Sequence, residues 1–257
     1  MPTRIRNSSR STVKRVAQLL HTALEHAVKS GRILKNPCAG TTPPTADEYE
    51  PTLPTIPQLQ AYLDDVKATA TPAEYALYVT IAGTVARLGE LLGLPEDAFE
   101  DRIIHIERTL RRAGRDPAYG KRKTKRGRRT VLLPDDAIQA IRGALLWKRE
   151  RRLKLGPKYR DSGLMFVGPT GRPMNPSNLR NRDHFTRLVR LKLPRFRLHD
   201  LRHLQGTYLN ARGVDARHIA DPRGQEQVAA IANETAGSEW RVGNALALAK
   251  YGGAGGN

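Results

Sequence analysis

Three side chains in the later part of the chain have the types and the spacing of an anion site. His199, Arg202 and His203 follow Pro194, in a stretch whose apolar residues recur at helical spacing. Residues three and four apart share one face of a helix, so these three side chains are predicted to project together. A guanidinium flanked by imidazoles suits a phosphate or a developing oxyanion rather than an apolar core.

Two simpler interpretations compete with the anion site. Histidines at positions i and i+4 are also typical of a zinc-protease helix, but Asp200 stands in place of its glutamate and Arg202 lies between the imidazoles. The single cysteine, Cys38, and the lack of a clear third ligand argue against zinc. The second alternative is a solvated basic helix end. The rest of the sequence favours the anion site.

A second candidate pair lies on a helix predicted from residue 71 to about residue 92, with Gly93 as its stop. The start of this helix has a cap, a proline and an acid that closes a capping box, in Thr71, Pro72 and Glu74. Arg87 and Glu90 lie three residues apart within it, which alone would indicate a surface ion pair. Their neighbours in the sequence are otherwise apolar.

A dense basic segment separates two predicted strands. Residues 103–109 and 129–133 have the alternation of partnered strands. Between and within them, residues 108–129 contain eleven Lys or Arg and a single acid, Asp116. Taken alone, such a run indicates a solvated loop or an interaction tail.

The charge of the whole chain points to a polyanionic partner. Its 257 residues carry 44 Lys+Arg against 25 Asp+Glu, a formal net charge of +19 and a pI near 10.6. Nucleic acid is the default partner for such an excess, and its binding should weaken steeply with salt. A chain of this length can bury a sizeable core as one large domain or two ordinary ones.

Other classes of protein are disfavoured by composition. The lone Cys38 excludes a disulfide framework and a four-cysteine metal site, as expected in a reducing cytosol. No apolar run approaches the length of a membrane span, and the N-terminus has no apolar signal segment. We therefore expect a cytoplasmic protein with no membrane partner.

The remaining elements follow from periodicity and from prolines. Residues 11–31 predict an amphipathic helix, and residues 41–57 a stiff linker with five prolines. Further helices are predicted over residues 57–69, 135–155 and 175–193, with a short strand or extended turn at 164–167. The helix over 135–155 ends in a basic cluster that should face solvent or phosphate, in Lys148, Arg149, Arg151, Arg152 and Lys154.

Two boxes of residues resemble those of one family. His199-Asp200-Leu201-Arg202-His203 matches the His-x-x-Arg-His box of the tyrosine recombinases, the phage integrase family. Arg87-Leu88-Gly89-Glu90-Leu91 resembles their first box, Arg-x-x-Glu-Leu, with Val85 where the family commonly has glycine. The likeness runs from about residue 11 to about residue 221, and residues 164–177 share it.

The resemblance implies a fold and a domain organisation. The fold expected is mainly α with a small antiparallel β-hairpin or sheet (α+β), the catalytic-domain fold of tyrosine recombinases. Residues 1–40 would be part of the helical DNA-clamping domain, 41–57 a linker, 58–221 the catalytic domain and 222–257 a divergent tail. The clamping domain is expected to be truncated, because its earlier helices have no counterpart here.

The resemblance also implies roles for individual residues in DNA strand breakage and rejoining. Arg87 and Arg202 would bind the phosphate oxygens, while Glu90 and His203 support them. His199 would hold the phosphate or assist proton movement, and Lys123 would protonate the leaving 5′-oxygen. Further DNA contacts are expected from the basic segment, in Arg122, Lys125, Arg126, Arg128 and Arg129, with Lys125 as the other register for the catalytic lysine. Neither a metal nor a cofactor is implied.

The nucleophile is the weak point of the resemblance. The family has Gly-His (or Trp) and then a tyrosine two to three helical turns later, whereas Gln225 follows Gly224 here and residues 226–240 contain no tyrosine. Tyr251 is the tentative nucleophile. Residues 222–257 carry three basic and three acidic side chains, unlike the basic body. A frameshift, a degraded gene end and a genuine divergent tail remain open, with degradation favoured.

Three functions therefore stand as hypotheses. The first is a site-specific recombinase or integrase of a mobile element that acts on double-stranded DNA at the nucleoid, as a homo-tetramer, through a 3′-phosphotyrosyl intermediate. The second is a catalytically dead, integrase-derived DNA-binding protein. The third, an RNA-binding protein, ranks last because aromatic residues make up only 5% of the chain and offer few stacking platforms.

Overall fold

A long helix dominates the first of two compact units into which the chain divides, Met1–Pro51 and Thr52–Asn257. The computed structural model describes residues 9–45, 52–112, 118–121, 129–202 and 204. In the first unit, α1 (Arg10–Lys29) starts where the Ser9 hydroxyl accepts from the backbone of Thr12. The side-chain amide of Asn36 donates to the carbonyl of His21 and to Glu25, which folds the chain after the helix back onto it. The helix predicted over residues 11–31 is confirmed.

The second unit is mainly helical with small antiparallel sheets, as the sequence predicted. Its described helices and strands are, in chain order, α2 (Ile56–Thr69), α3 (Pro72–Gly83), α4 (Leu88–Leu91), β1 (Phe99–Glu100), β2 (Ile103–Ile106), β3 (Arg108–Arg112), β4 (Ala118–Lys121), β5 (Arg129–Leu132), α5 (Asp135–Leu155), α6 (Pro176–Asn178), a π-helical turn (Leu179–His184) and α7 (Phe185–Arg190). Residues 198–202 are also helical. No helix in the described part of the chain is long and apolar enough to cross a membrane.

Helix α3 is the centre of the core. Leu77, Tyr78 and Ile81 are almost entirely excluded from solvent, and α3 packs along α5. A helix that is apolar on every side must be surrounded by other elements. Burying each large apolar side chain contributes about 1.5–3 kcal/mol, so α3 is the frame on which the following loop and α4 are mounted.

The strand pairing agrees only partly with the prediction. β2 pairs antiparallel with both β1 and β5, with Ile104 opposite Val131. However, residues 103–109 do not form one strand, because the chain leaves the ladder at Glu107 and β3 pairs with β4 in a separate sheet. The extra β3–β4 hairpin was not predicted, since the dense charges of the segment hid its alternation.

The long helix predicted from residue 71 to residue 92 is wrong, because it is broken after Gly83. Thr84 has extended backbone angles, and a new short helix starts at Arg87, whose N–H donates to the Glu90 carboxylate at 2.9 Å. That bond is the reciprocal half of a capping box. The continuous apolar pattern hid the start of this second helix. Glu90, an acid at its third position, was the feature of the sequence that could have indicated it.

Helix α4 lies against β3 at backbone distance. A Cβ added to Gly93 would come within 2.8 Å of the Leu110 nitrogen, and one added to Gly89 within 3.1 Å of the Thr109 hydroxyl. Only glycine leaves room for so close an approach. The position of α4 is therefore fixed by close packing at Gly89, within the helix, and at Gly93, just after its end.

The basic end of α5 contains one buried lysine, contrary to the prediction that the cluster faces solvent or phosphate. The Lys148 ammonium donates to the carbonyl of Leu164 at 2.9 Å and contacts the carboxylates of Glu96 and Asp161 at 2.9 and 3.3 Å. Its side chain is 4% exposed. Lys148 thus ties α5 to the loop around residue 164, and the other residues of the cluster do not share this position.

Candidate functional site

The break between α3 and α4 places Arg87 and Glu90 at the start of a helix. Glu90 is 1% exposed, whereas the Arg87 side chain is 55% exposed, and the two join at 3.0 Å between Nη1 and Oε1. A simple surface pair would leave both groups in water, so the surface interpretation fails for the carboxylate. Burial of Glu90 next to an accessible guanidinium is typical of a positioned binding group.

Arg129 completes the surroundings of the same carboxylate. From the first position of β5 it donates through Nη2 to Glu90 Oε2 at 2.6 Å and through Nη1 to Oε1 at 3.4 Å, in a forked arrangement. Its side chain is 6% exposed. The sequence grouped Arg129 with surface DNA contacts, and the geometry instead gives it a buried place behind Arg87.

The third guanidinium of this group is Arg202, on the helix over residues 198–202. Burial, and then the positive charges of Arg87 and Arg129, lower the pKa of Arg202 from its usual value. Burial, and then the charge of Arg87, lower the pKa of Arg129 to about 10. The charge of Arg202 thus interacts with the two arginines that bond Glu90, and we call Arg87, Glu90, Arg129 and Arg202 the Glu90 cluster.

His199 borders a cavity that lies next to the Glu90 cluster. The cavity has a volume of about 380 Å³ and its wall includes the two neighbours of Arg87 in the chain. The full lining is Ala86, Leu88, Pro176, Arg180, Phe185, Arg197, Leu198 and His199. The structure thus brings His199 and the Arg87 segment, more than 100 residues apart in sequence, to one opening.

The helix that carries His199 and Arg202 is held at its start by two buried polar groups that the sequence analysis missed. The Asp200 carboxylate, 1% exposed, accepts from the Arg197 N–H at 2.7 Å. His184 bonds through Nε2 to the Phe196 carbonyl at 2.9 Å and through Nδ1 to the Tyr62 hydroxyl at 2.8 Å. Asp200 repeats the acid-to-N–H bond of Glu90, and this shared spacing was readable from the sequence.

Several predicted site residues lie outside the described part of the chain. These are Arg122, Lys123, Lys125, Arg126, Arg128, His203 and Tyr251. The described members of the predicted site, Arg87, Glu90, Arg129, His199 and Arg202, all lie in one region. Among the described residues, no group of three or more His, Cys, Asp and Glu side chains is arranged to hold a metal ion.

The second unit is a helical domain with small antiparallel sheets in which two guanidiniums bond a buried carboxylate. Residues 55–233 match the model of the phage integrase family. This match covers more than half of the chain, and the chain therefore belongs to that family.

Individual relatives agree with this membership. The chain is 28% identical over 247 residues to a tyrosine recombinase XerC-like protein of Caldanaerobacter subterraneus. This alignment covers 88% of this chain and 62% of the relative. It is 35% identical over 108 residues to an integrase of Saccharopolyspora erythraea, covering 41% of this chain and 24% of that protein. The chain thus spans less than two thirds of the length of these curated relatives.

Solved structures show the same fold. The Tn1549 transposon integrase in complex with transposon right end DNA superposes with a TM-score of 0.68 at 20% identity, over 95% of this chain and 76% of that one. A lambda integrase dimer bound to a COC′ core site gives a TM-score of 0.55 at 15% identity, over 82% and 71% of the two chains.

Proposed function

We propose that this chain acts on double-stranded DNA as a site-specific recombinase or integrase, with the Glu90 cluster and His199 as the binding site for the scissile phosphate. The observation that carries the proposal is the excess of positive charge: Arg87 and Arg129 both bond the Glu90 carboxylate, and Arg202 lies close enough for its charge to interact with both arginines. A phosphodiester supplies the negative charge that this arrangement favours. Because its non-bridging oxygens gain charge during transfer, the guanidiniums stabilise the transition state more than the ground state.

The strand transfer proposed needs neither a metal nor a cofactor. A tyrosine hydroxyl loses its proton to a base, for which His199 is the candidate, as its oxygen attacks the phosphorus. The bond to the 5′-oxygen breaks, and Lys123 gives that oxygen a proton. The products are a 3′-phosphotyrosyl ester and a 5′-hydroxyl. Attack by a 5′-hydroxyl on the ester re-forms the phosphodiester and frees the tyrosine, so the bond energy is kept throughout. Arg87 and Arg202 would bind the phosphate, and His199 would hold it or move a proton.

The organisation proposed for the chain follows the same family. Residues 1–40 form part of a DNA-clamping domain, 41–57 a linker, 58–221 the catalytic domain and 222–257 a divergent tail, and the family match over residues 55–233 supports the third of these. We propose action in the cytoplasm, at the nucleoid, by a homo-tetramer on DNA. The nucleophile is Tyr251 or a tyrosine donated by another subunit.

A specific observation favours a second candidate, a catalytically dead, integrase-derived DNA-binding protein. Gln225 occupies the position of the family's second imidazole, and residues 226–240 contain no tyrosine. The phosphate site would then bind DNA without breaking it. The two candidates share their partner and differ in whether a covalent bond forms.

Trapping of covalent adducts on nicked duplexes separates these candidates. A pool of random-sequence duplexes with single nicks lets the strand beyond the break diffuse away, so a protein–DNA ester accumulates and is seen on a denaturing gel. The recombinase is supported by an adduct that is lost in Arg202→Ala. Survival of that adduct in Tyr251→Phe removes Tyr251 as the nucleophile. Duplex binding without an adduct supports the second candidate, and no binding at all contradicts both.

A further inference from the structure

Arg129 is the member of the predicted DNA-contact set that lies within the described part of the chain. It is 6% exposed, and both of its terminal nitrogens point at Glu90, at 2.6 and 3.4 Å. A residue that contacts the DNA backbone from the protein surface needs an accessible guanidinium. The geometry therefore directs Arg129 toward the carboxylate and away from a direct phosphate contact.

Both oxygens of the Glu90 carboxylate accept hydrogen bonds from Arg87 and from Arg129. Oε1 accepts from the Nη1 atoms of Arg87 and Arg129, and Oε2 accepts from the Arg87 backbone N–H and from Arg129 Nη2. The fork from Arg129 fixes both oxygens in one plane, because a guanidinium and a carboxylate match in geometry. Glu90 in turn fixes both the backbone and the side chain of Arg87.

The sharing of Glu90 between two arginines also limits how far Glu90 neutralises the charge of Arg87. If Glu90 had Arg87 as its sole partner, the two could form a closed bidentate pair whose charges cancel. With Arg129 bonded to the same carboxylate, one negative charge is spread over two positive ones, and Arg87 keeps part of its charge for another anion. Burial and the charge of Arg87 lower the pKa of Arg129 to about 10, so it remains protonated at neutral pH.

We propose that Arg129 is a positioning residue that holds Glu90 in a fork, orients Arg87 for phosphate and keeps Glu90 from neutralising its charge, without contacting the DNA itself. The inference rests on the proposed function, because its effect is measured on DNA held by Arg87. It replaces the expectation that Arg129 is one of the surface DNA contacts.

A double-mutant cycle on the full chain tests this positioning role. Affinity for a fluorescent 40-base-pair duplex is measured by anisotropy over a range of salt for wild type, Arg87→Met, Arg129→Met and the double variant. Each phosphate that the protein no longer neutralises should reduce the slope of log affinity against log salt by about 1. If Arg129 acts through Arg87, both single variants and the double variant show the same reduction in slope. If Arg129 binds DNA directly, the reduction in the double variant is twice as large, and the proposal is overturned.

Arg128→Met serves as the matched control, since Arg128 is the neighbouring residue and an expected direct contact. Its effect should add to that of Arg87→Met. Arg129→Lys gives a second readout and replaces Arg129→Met if that variant does not fold. A lysine retains the charge but cannot form the fork. It should therefore fail to restore the slope if Arg129 positions Glu90, and restore it if Arg129 simply neutralises a phosphate.

The failure of this inference is distinct from the failure of the proposed function. Wild-type protein that binds no duplex in a salt-dependent way contradicts the function, and the inference with it. Wild-type protein that binds, together with additive reductions in slope from Arg87→Met and Arg129→Met, contradicts the inference alone.

Discussion

Two clusters in the second unit share one design, an acid held by two arginines, but differ in their balance of charge. In the Glu90 cluster, Arg87 and Arg129 bond one carboxylate, and Arg202 adds a third positive charge that interacts with both of them. In the Asp65 cluster, defined here as Asp65, Asp183, Arg187 and Arg190, two arginines meet two carboxylates. The first cluster has positive charge in excess, and the second is neutral.

The pKa values of the arginines in the two clusters are shifted in opposite directions. Burial would lower the pKa of Arg187, but its hydrogen bonds and charge interactions with Asp65 and Asp183 outweigh burial and raise it. For Arg129 and Arg202, burial and neighbouring positive charges lower the pKa. Hydrogen bonds and ion pairs with carboxylates raise the pKa of an arginine, whereas burial and nearby positive charges lower it, so the two directions follow the charge balance of the two clusters. We therefore propose that the Asp65 cluster stabilises the fold, and this contrast supports the anion-binding role proposed for the Glu90 cluster.

The largest effect on stability is expected from Arg187→Met. Arg187 bonds Asp65, Asp183 at 2.6 Å and the Thr69 hydroxyl at 2.5 Å, with its side chain 5% exposed. Removing one partner of a buried ion pair leaves uncompensated charge, which costs about 3–5 kcal/mol. Urea unfolding of wild type and variant measures the destabilisation. A value below about 1 kcal/mol, the range of an exposed ion pair, would contradict the structural role given to this cluster.

Gly93→Ala is expected to have the next largest effect, because it pushes the Glu90 cluster out of place through the backbone. The added Cβ would lie 2.8 Å from the Leu110 nitrogen, and backbone cannot swing aside as a side chain can. Overpacking of this kind costs about 1–3 kcal/mol. Thermal unfolding checks the destabilisation, and duplex affinity should fall with it.

Gly143→Ala is the matched control for this substitution. A Cβ added to Gly143, on α5, meets nothing within 4 Å. Alanine there should be neutral or stabilising by up to about 1 kcal/mol through helix propensity. Equal destabilisation by the two substitutions would show that close packing of α4 is not what makes Gly93 necessary.

A smaller effect is expected from pH, through His184. Burial lowers the pKa of His184 below its usual value of 6.5, and its bonds to Tyr62 and Phe196 suit a neutral ring. His184 therefore binds a proton more readily in the unfolded chain than in the folded one. Its contribution to the free energy of unfolding is fully present above pH 6.5 and is lost as the pH falls below that value. Urea unfolding at pH 7.5 and 5.5 should show this decline in wild type and a weaker one in His184→Asn. An equal decline in both would remove His184 as its source.

The sequence predicted those parts of the molecule that depend on local pattern. Helix α5 runs over Asp135–Leu155 as expected, and β2 pairs with β5. Arg87, His199 and Arg202 were recognised from their boxes, and they lie in one region. Periodicity and short motifs are properties of neighbouring residues, so no knowledge of tertiary contacts was needed for them.

The sequence did not show which basic residues are buried. Lys148, Arg129 and Arg187 each lie in a basic run, yet their side chains are only 4%, 6% and 5% exposed. Each is compensated by acids or carbonyls that are distant in sequence, such as Glu90, 39 residues before Arg129. The density of basic residues along the chain indicates that a partner would be negatively charged. Which of these residues stabilise the fold and which are available for binding depends on tertiary contacts.

The division between a binding cluster and a structural cluster is tested most directly by Arg202→Met and Arg187→Met measured side by side. For each variant, the unfolding free energy is obtained from urea titration and duplex affinity from fluorescence anisotropy. Arg202→Met should weaken duplex binding roughly 10- to 100-fold, as expected for hydrogen bonds to a charged group, and change stability by less than about 1 kcal/mol. Arg187→Met should show the reverse, lower stability with duplex affinity of the folded protein retained. If Arg202→Met destabilises the fold and leaves duplex binding unchanged, the Glu90 cluster is not the anion site.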